Sequence, residues 1–387
     1  MKINQLSYYD HSRGWRLEPV QFSEFNLLVG ASGVGKTQIL QSIMTIRGIA
    51  KGQSVNGIQW DIHFIDQHKL EYRWQGKFET KKNTPLTIIS DDEGKEKNKF
   101  KITSEFLSKN GETLIERTSN EIKFKDKILP KLSPFQSAVA ILSEEEDVSP
   151  VQDGLNKIIY SDQSSSAGAV DIIEYYSLAK KYGSSSLDKI QQSYLPIQIK
   201  LALVYKNFPE IFNDIKEHFG EFFVQVEDLK LEPEDINNDK LPVALIEYPF
   251  IKIKEKGVND WISQDQISSG MFRTLMHISE LYLSAEGTVI LIDEFENSLG
   301  VNCIDIVTEL LLENRQLQFI LTSHHPYIIN KIGMDHWKIV TRKGGVVTAR
   351  DAKDFNLGKS KHEAFMQLMN LDAYAEGLDF GQKKLFA

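Results

Sequence analysis

The chain has 387 residues, is 41% hydrophobic, carries a formal net charge of -9 and contains one cysteine. That is enough apolar residue for two or three units of roughly 100–200 residues each; it excludes an intrachain disulfide and argues against nucleic-acid binding driven by overall charge. No apolar run approaches the roughly 20 residues that span a bilayer, and the start lacks the basic and apolar segments of a signal peptide, so a cytoplasmic protein with no membrane insertion is expected.

Lys2 to Tyr8 alternates like a strand. Phe25 to Val29 is a short apolar run that leads directly into Gly30-Ala31-Ser32-Gly33-Val34-Gly35-Lys36-Thr37. Ile39, Ile43 and Ile46 then fall at helical spacing. Strand, glycine loop and helix are the context a P-loop requires. Glycines let successive backbone N–H groups approach phosphates closely, and the helix start adds partial positive charge. Lys36 is expected on the β- and γ-phosphates of ATP and Thr37 on Mg²⁺.

Trp60, Ile62 and Phe64, then Leu70, Tyr72 and Trp74, alternate as in antiparallel sheet. Ser90 to Lys99 is densely charged and reads as a solvated hairpin tip. Lys99 to Phe124 looks stranded, with a turn at Gly111-Glu112. From about residue 133 to 262 the pattern turns helical, notably Val170 to Tyr182 and Leu187 to Phe223, with breaks at Pro196 and Pro209. The three or four consecutive heptads that a coiled coil needs are absent.

Three short motifs follow in order. Ser268-Ser269-Gly270 precedes Met271, Leu275, Ile278 and Tyr282, which share one helix face from about Gly270. This is either a serine N-cap or a second anion site at a helix start. Val289 to Ile292 reads as a buried strand ending in Asp293-Glu294. Beside a P-loop, Asp293 is expected to hold Mg²⁺ through water and Glu294 to deprotonate the attacking water. Phe319 to Thr322 is a second such run, ending in Ser323-His324-His325-Pro326. Cys303, within Val301 to Val307, reads as a packed thiol on a helix, Trp337 to Val340 and Val346 to Thr348 as a closing hairpin, and His362 to Tyr374 as a last helix.

Taken together, Gly30 to Thr37, Ser268 to Arg273, Leu291 to Asn297 and Thr322 to Pro326 resemble an ATP-binding-cassette ATPase. The resemblance implies an α/β P-loop core, a mixed sheet flanked by helices with an antiparallel β subdomain and an inserted helical lobe. The expected divisions are 1–132, an ATPase lobe with the P-loop; 133–262, the helical insertion; and 263–387, a second lobe carrying the other motifs. It also implies that Ser268, Ser269 and Gly270 close on the γ-phosphate held by a second copy. His324 is then the switch histidine, in preference to His325, because the family reads Thr-x-His-x-Pro. Asn297 to Gly300 is the loop that couples the two sites, and Gln136 the glutamine that links lid to nucleotide.

The stretch from Gly30 to Ser268 is nearly a whole transporter cassette in length, which disfavours a transporter subunit. The chain resembles soluble ATPases of SMC-like and AAA-type character related to the overcoming-lysogenization-defect family, common in antiphage systems of Septu, PARIS or retron-associated type. Residues 327–387 are too short for the fused Toprim nuclease of that family and offer no acidic cluster of metal-binding type beyond the scattered Asp351, Asp354 and Asp372. The expectation is therefore a homodimer or higher oligomer that controls a separately encoded nuclease or toxin. A DNA-binding repair or chromosome-maintenance clamp is the rival, with Lys95 to Lys101 and Lys123 to Lys131 as the local basic stretches. A nucleotide-binding scaffold that barely turns over is a third reading.

Overall fold

The computed structural model describes residues 1–81, 99–161, 177–193, 195–233, 248–297, 307–312, 316–355, 357, 363 and 366–368. Within them the chain forms two compact units, one of residues 1–161, 286–295 and 318–387, the other of 162–285 and 296–317. These borders differ from the expected 132/133 and 262/263. Residues 133–161 add a strand and two short helices to the first unit, and the helix that follows Ser268 packs with the second.

The first unit is built on one sheet. Its strands are β1 (Lys2–Asp10), β2 (Trp15–Gln21), β3 (Phe25–Val29), β4 (Ile58–Ile65), β5 (Glu71–Phe78), β6 (Ile102–Lys109), β7 (Glu112–Arg117), β8 (Ile122–Phe124), β9 (Lys127–Ile128) and β10 (Ile158–Tyr160). The second unit contributes β11 (Val226–Glu232), β12 (Phe250–Glu255) and β13 (Ile262–Ser263), a separate antiparallel sheet. The chain then returns to the first unit as β14 (Val289–Ile292), β15 (Gln318–Thr322), β16 (Trp337–Lys343) and β17 (Val346–Asp351). Helices are α1 (Lys36–Ala50), α2 (Ala138–Ile141), α3 (Ser149–Asn156), α4 (Leu187–Gln192), α5 (Ile197–Asn207), α6 (Pro209–Phe222), α7 (Ser269–Leu283) and α8 (Pro326–Lys331).

The large sheet runs β10-β14-β15-β3-β16-β17-β2-β1-β4-β5-β6-β7-β8-β9. From β10 to β16 every pairing is parallel, and from β2 through β1 to β9 every pairing is antiparallel. β3, β14 and β15 are buried at every position, as expected of parallel strands covered on both faces. The antiparallel strands bury alternate residues, with Trp60, Ile62, Phe64, Tyr72 and Trp74 pointing into the core. On α1, Ile39, Ile43, Ile46 and Ile49 pack into that core at helical spacing.

Two buried polar side chains tie elements of this unit together. Gln318, the first residue of β15, donates to the carbonyls of Ile3 (2.8 Å) and Ser23 (2.7 Å) and accepts from Ile3 N (2.8 Å). Its amide thus satisfies the start of β1 as another strand would. Glu105 on β6 accepts from Trp74 Nε1 (3.0 Å) and from Ala138 N (2.8 Å), with Arg117 3.6 Å away. Burial pushes the Glu105 carboxyl up, against the pull of those partners. Arg117 in turn donates to the carbonyls of Ser133 and Gln136, both at 2.7 Å, which ties the entry to α2 onto the sheet.

The second unit is helical where expected: Pro196 precedes α5 and Pro209 opens α6. The sheet β11-β12-β13 corrects the wholly helical expectation for 133–262. Leu229 and Leu231 alternate with Asp228 and Lys230, and Ile251 and Ile253 with Lys252 and Lys254, so a half-buried strand was masked by its charged face. The charged tip 90–98, much of Val170 to Tyr182, Cys303 and most of His362 to Tyr374 lie outside the described residues.

Lys200 on α5 is buried and donates to Gln191 O (2.7 Å) and Leu283 O (3.1 Å), late carbonyls of α4 and α7 that those helices leave unsatisfied. Burial lowers its ammonium to about 8, opposed by nearby Glu280. Between about pH 8 and the ordinary lysine value of 10.5 the unfolded chain binds more protons at this lysine than the folded one, so stability rises with pH across that window. The stability of wild type minus that of Lys200→Met, from urea denaturation, is expected to rise between about pH 8 and 10.5, by at most about 1.4 kcal/mol per pH unit. A difference that stays flat contradicts this role.

Candidate nucleotide site

The parallel block sets the site. β3, β14 and β15 run in the same direction, so the segments that follow them emerge at one edge of the sheet, where ligands of open α/β sheets bind. Residues 30–35 follow β3, Asp293 and Glu294 follow β14, and Ser323 and His324 follow β15. Ser32, Gly33, Gly35, Lys36, Thr37, Gln38, Asp293, Glu294, Thr322 and His324 together line a cavity of about 300 Å³.

The glycine loop has local reasons for its composition. Gly33 and Gly35 have φ of 82° and 107°, the left-handed region that favours glycine. At Gly30 the constraint is space, since a Cβ would lie 2.5 Å from the Val340 carbonyl oxygen on β16. Ala31 and Val34 are buried and anchor the loop. Lys36 Nζ donates to the carbonyls of Gly30 (2.8 Å) and Ala31 (3.0 Å), so the ammonium is held across the loop. α1 starts after Gly35 with no side-chain cap and no acidic residue in its first turn. Its leading N–H groups are therefore left for an anion. Arg342 on β16 props the loop through Gly33 O at 3.4 Å.

One threonine organises the carboxylates. Thr322 Oγ1 donates to Asp293 Oδ1 and accepts from Glu294 N (2.8 Å), while its carbonyl accepts from Phe295 N (3.0 Å). Glu294 has φ of 48°, uncommon for a side-chain-bearing residue, and both its own amide and the next are tied to Thr322. Tyr160, at the end of β10, places its hydroxyl 3.3 Å from Asp293 Oδ2. Neither Thr322 nor Tyr160 was singled out from sequence. Thr322 opens the Thr322 to Pro326 motif, and the signal that marks it is a hydroxyl at one strand end beside an acidic strand end. Tyr160 lies in a three-residue strand within a stretch that reads as helical.

The two histidines part company. His324 is exposed and lines the cavity. His325 caps α8, its Nδ1 accepting from Tyr327 N at 3.3 Å. Gln136 is not brought to the cavity. Its side chain lies against Gly52, just beyond the C-terminal end of α1, while the P-loop lies at the N-terminal end, about 22 Å away along a 15-residue helix. The backbone carbonyl of Gln136 accepts from Arg117 at 2.7 Å.

In the second unit, Ser268 is the N-cap of α7, accepting from Met271 N at 3.2 Å. Ser268 and Ser269 are exposed, and Gly270 lies in the first turn, its carbonyl accepting from Thr274 Oγ1 at 2.9 Å. Arg273, one turn on, donates to Asn297 O at 2.9 Å. Residues 298–300 of the expected coupling loop lie outside the described residues.

Fold and cavity define a P-loop ATPase with the mixed α/β architecture of SMC heads. The chain belongs to the family described as "AAA domain, putative AbiEii toxin, Type IV TA system", which it matches over residues 25–330. Among solved structures it is similar to the SMC head bound to the C-winged helix domain of ScpA, with a TM-score of 0.50, 14% identity, and 90% of this chain and 97% of that chain covered. The SMC head domain from Thermotoga maritima aligns with a TM-score of 0.43 and 12% identity, covering 91% of this chain and 99% of that one. No curated protein matches the sequence. Among the described residues no helix is long and apolar enough to cross a membrane.

Thr322→Val keeps the shape of the side chain and removes the hydroxyl, leaving the Glu294 amide without its acceptor. A stability loss of about 1–3 kcal/mol is expected in urea denaturation, with ATP turnover down about 10- to 100-fold. Thr322→Ser should retain most of both. Equal behaviour of the valine and serine variants contradicts the role of the hydroxyl.

Proposed function

We propose that this protein is a Mg²⁺-dependent ATPase switch of the cytoplasm that dimerises around ATP and governs a separately encoded effector, a nuclease or toxin, in antiphage defence. The observation that carries the reading is the meeting of Lys36, Thr37, Asp293, Glu294 and His324 around one cavity at the carboxyl edge of the parallel strands. Phosphate oxygens are received by the N–H groups of the loop and the first turn of α1, with Lys36 turning from the loop carbonyls to the β- and γ-phosphates.

Thr37 and Asp293 are hard oxygen donors lining the same cavity, a set that suits Mg²⁺ and its retained waters. The ion, when bound, neutralises charge on the β- and γ-phosphates. Glu294 accepts the proton of the attacking water, and His324 faces the γ-phosphate. Thr322 holds the amide of Glu294, so the base sits on a fixed backbone.

Dimerisation is supported by the exposed serines that open the 15-residue helix α7 with no acidic residue in its first turn. Such a helix start receives an anion, here the γ-phosphate held by a second copy. In a symmetric pair each copy gives one loop and takes the other, so ATP closes the dimer and hydrolysis opens it. The toxin-system wording of the family description supports an output in growth arrest or defence. The net charge of -9 weighs against a DNA clamp as the principal role.

Glu294→Gln is expected to bind ATP, to lose about 10²- to 10⁴-fold in turnover, and to sediment as a dimer with ATP but not with ADP. Lys36→Ala should fail to bind ATP and stay in the nucleotide-free form. Wild-type turnover by Glu294→Gln rules out the assigned base, and an ATP-insensitive sedimentation coefficient rules out the switch.

A further inference from the structure

β14 lies between β10 and β15 in the sheet, and both neighbours run parallel to it. Each supplies one hydroxyl to the carboxylate that ends it. From β15 comes Thr322, whose Oγ1 bonds Asp293 Oδ1; from β10 comes Tyr160, whose Oη lies 3.3 Å from Oδ2. The register fixes this: Tyr160 pairs with Leu291, and Ser161 N donates to Leu291 O at 2.8 Å, so the tyrosine is held two residues short of Asp293 along the strand direction. The ring is half-buried and packs against the core, while its hydroxyl reaches the polar edge.

We infer that Tyr160 is a positioning residue for the cation at Asp293, setting the carboxylate together with Thr322 before Mg²⁺ arrives. The inference rests on the reading of Asp293 as the residue that holds Mg²⁺. A carboxylate free to rotate loses that freedom when it binds a hydrated cation, and a donor on each oxygen removes the loss in advance. Two ionised oxygens offer about four lone-pair directions, so one hydroxyl on each leaves acceptor capacity for waters of the ion. Mg²⁺ demands near-ideal octahedral geometry and keeps several waters, so its affinity depends on the angle of an outer carboxylate more than that of a looser cation would. Tyr160 touches neither nucleotide nor reacting atoms in this scheme; it acts through Asp293.

The test uses the full-length chain and Mn²⁺ as a paramagnetic stand-in for Mg²⁺, titrated by electron paramagnetic resonance in the presence of a non-hydrolysable ATP analogue. Tyr160→Phe keeps the ring and removes only the hydroxyl. Its Mn²⁺ affinity is expected to fall about 10-fold, at the lower end of what outer partners of a metal ligand contribute. Affinity for the analogue in excess chelator and the melting temperature without metal should stay at wild-type values, which a general packing defect would not allow. Asp293→Asn is the control and should weaken Mn²⁺ at least as much. Wild-type Mn²⁺ affinity in Tyr160→Phe beside a weakened Asp293→Asn overturns the positioning role alone. Unchanged affinity in both overturns the assignment of Asp293 itself, and the inference with it. A weakened Tyr160→Phe that also melts early and loses chelator-insensitive nucleotide binding assigns the hydroxyl to folding and overturns the inference as well.

Discussion

The hydroxyl of Thr322 is the interaction on which the chemistry of this fold turns. It bonds the carboxylate of Asp293 and the amide of Glu294 at once, and it does so because β14 and β15 are parallel and in register, Ile292 beside Leu321. A one-residue slip would reverse every side chain and put Thr322 on the wrong face. The register is protected by burial, since every residue of β3, β14 and β15 is enclosed.

The antiparallel half has a different task. Its inward residues share one hydrophobic core with α1, whose first turn carries Lys36 and Thr37. Gln318 stitches the start of β1 to β15, and Glu105 and Arg117 stitch the entry of α2 to β6 and β7. Burying a carboxylate is costly unless its oxygens are satisfied. Glu105 meets that condition with an indole, a backbone amide and a guanidinium, which makes the corner around Gln136 a rigid support remote from the cavity.

Much of the site was legible in the sequence because its chemistry is encoded locally. A glycine that must reach φ of 107° and a lysine that reaches back to the loop carbonyls sit side by side, and each acidic or histidine residue directly ends its own apolar run. β3 and α1 match their periodicities, and the hairpin around Gly344 and Gly345 closes as read. The parts that could not be read are those decided by long-range pairing. β10 is three residues long and has no period of its own; only its neighbour β14 makes it a strand and brings Tyr160 to Asp293. Gln136 has no local pattern that shows its neighbours, and its backbone carbonyl is held by Arg117 from β7. The unit borders escaped for the same reason, since a sheet gathers strands from 1–161, 286–295 and 318–387.

The central claim is that the carboxyl edge of β3, β14 and β15 is where ATP is held. Amide hydrogen exchange followed by mass spectrometry, with and without MgATP, tests it most directly. Slowed exchange should concentrate on the glycine loop from Gly30 to Gln38, on the turn at Asp293 to Phe295 and on Thr322 to His325. If MgATP leaves these three segments unprotected while other segments slow, the nucleotide is bound elsewhere and the assignment of the cavity is wrong.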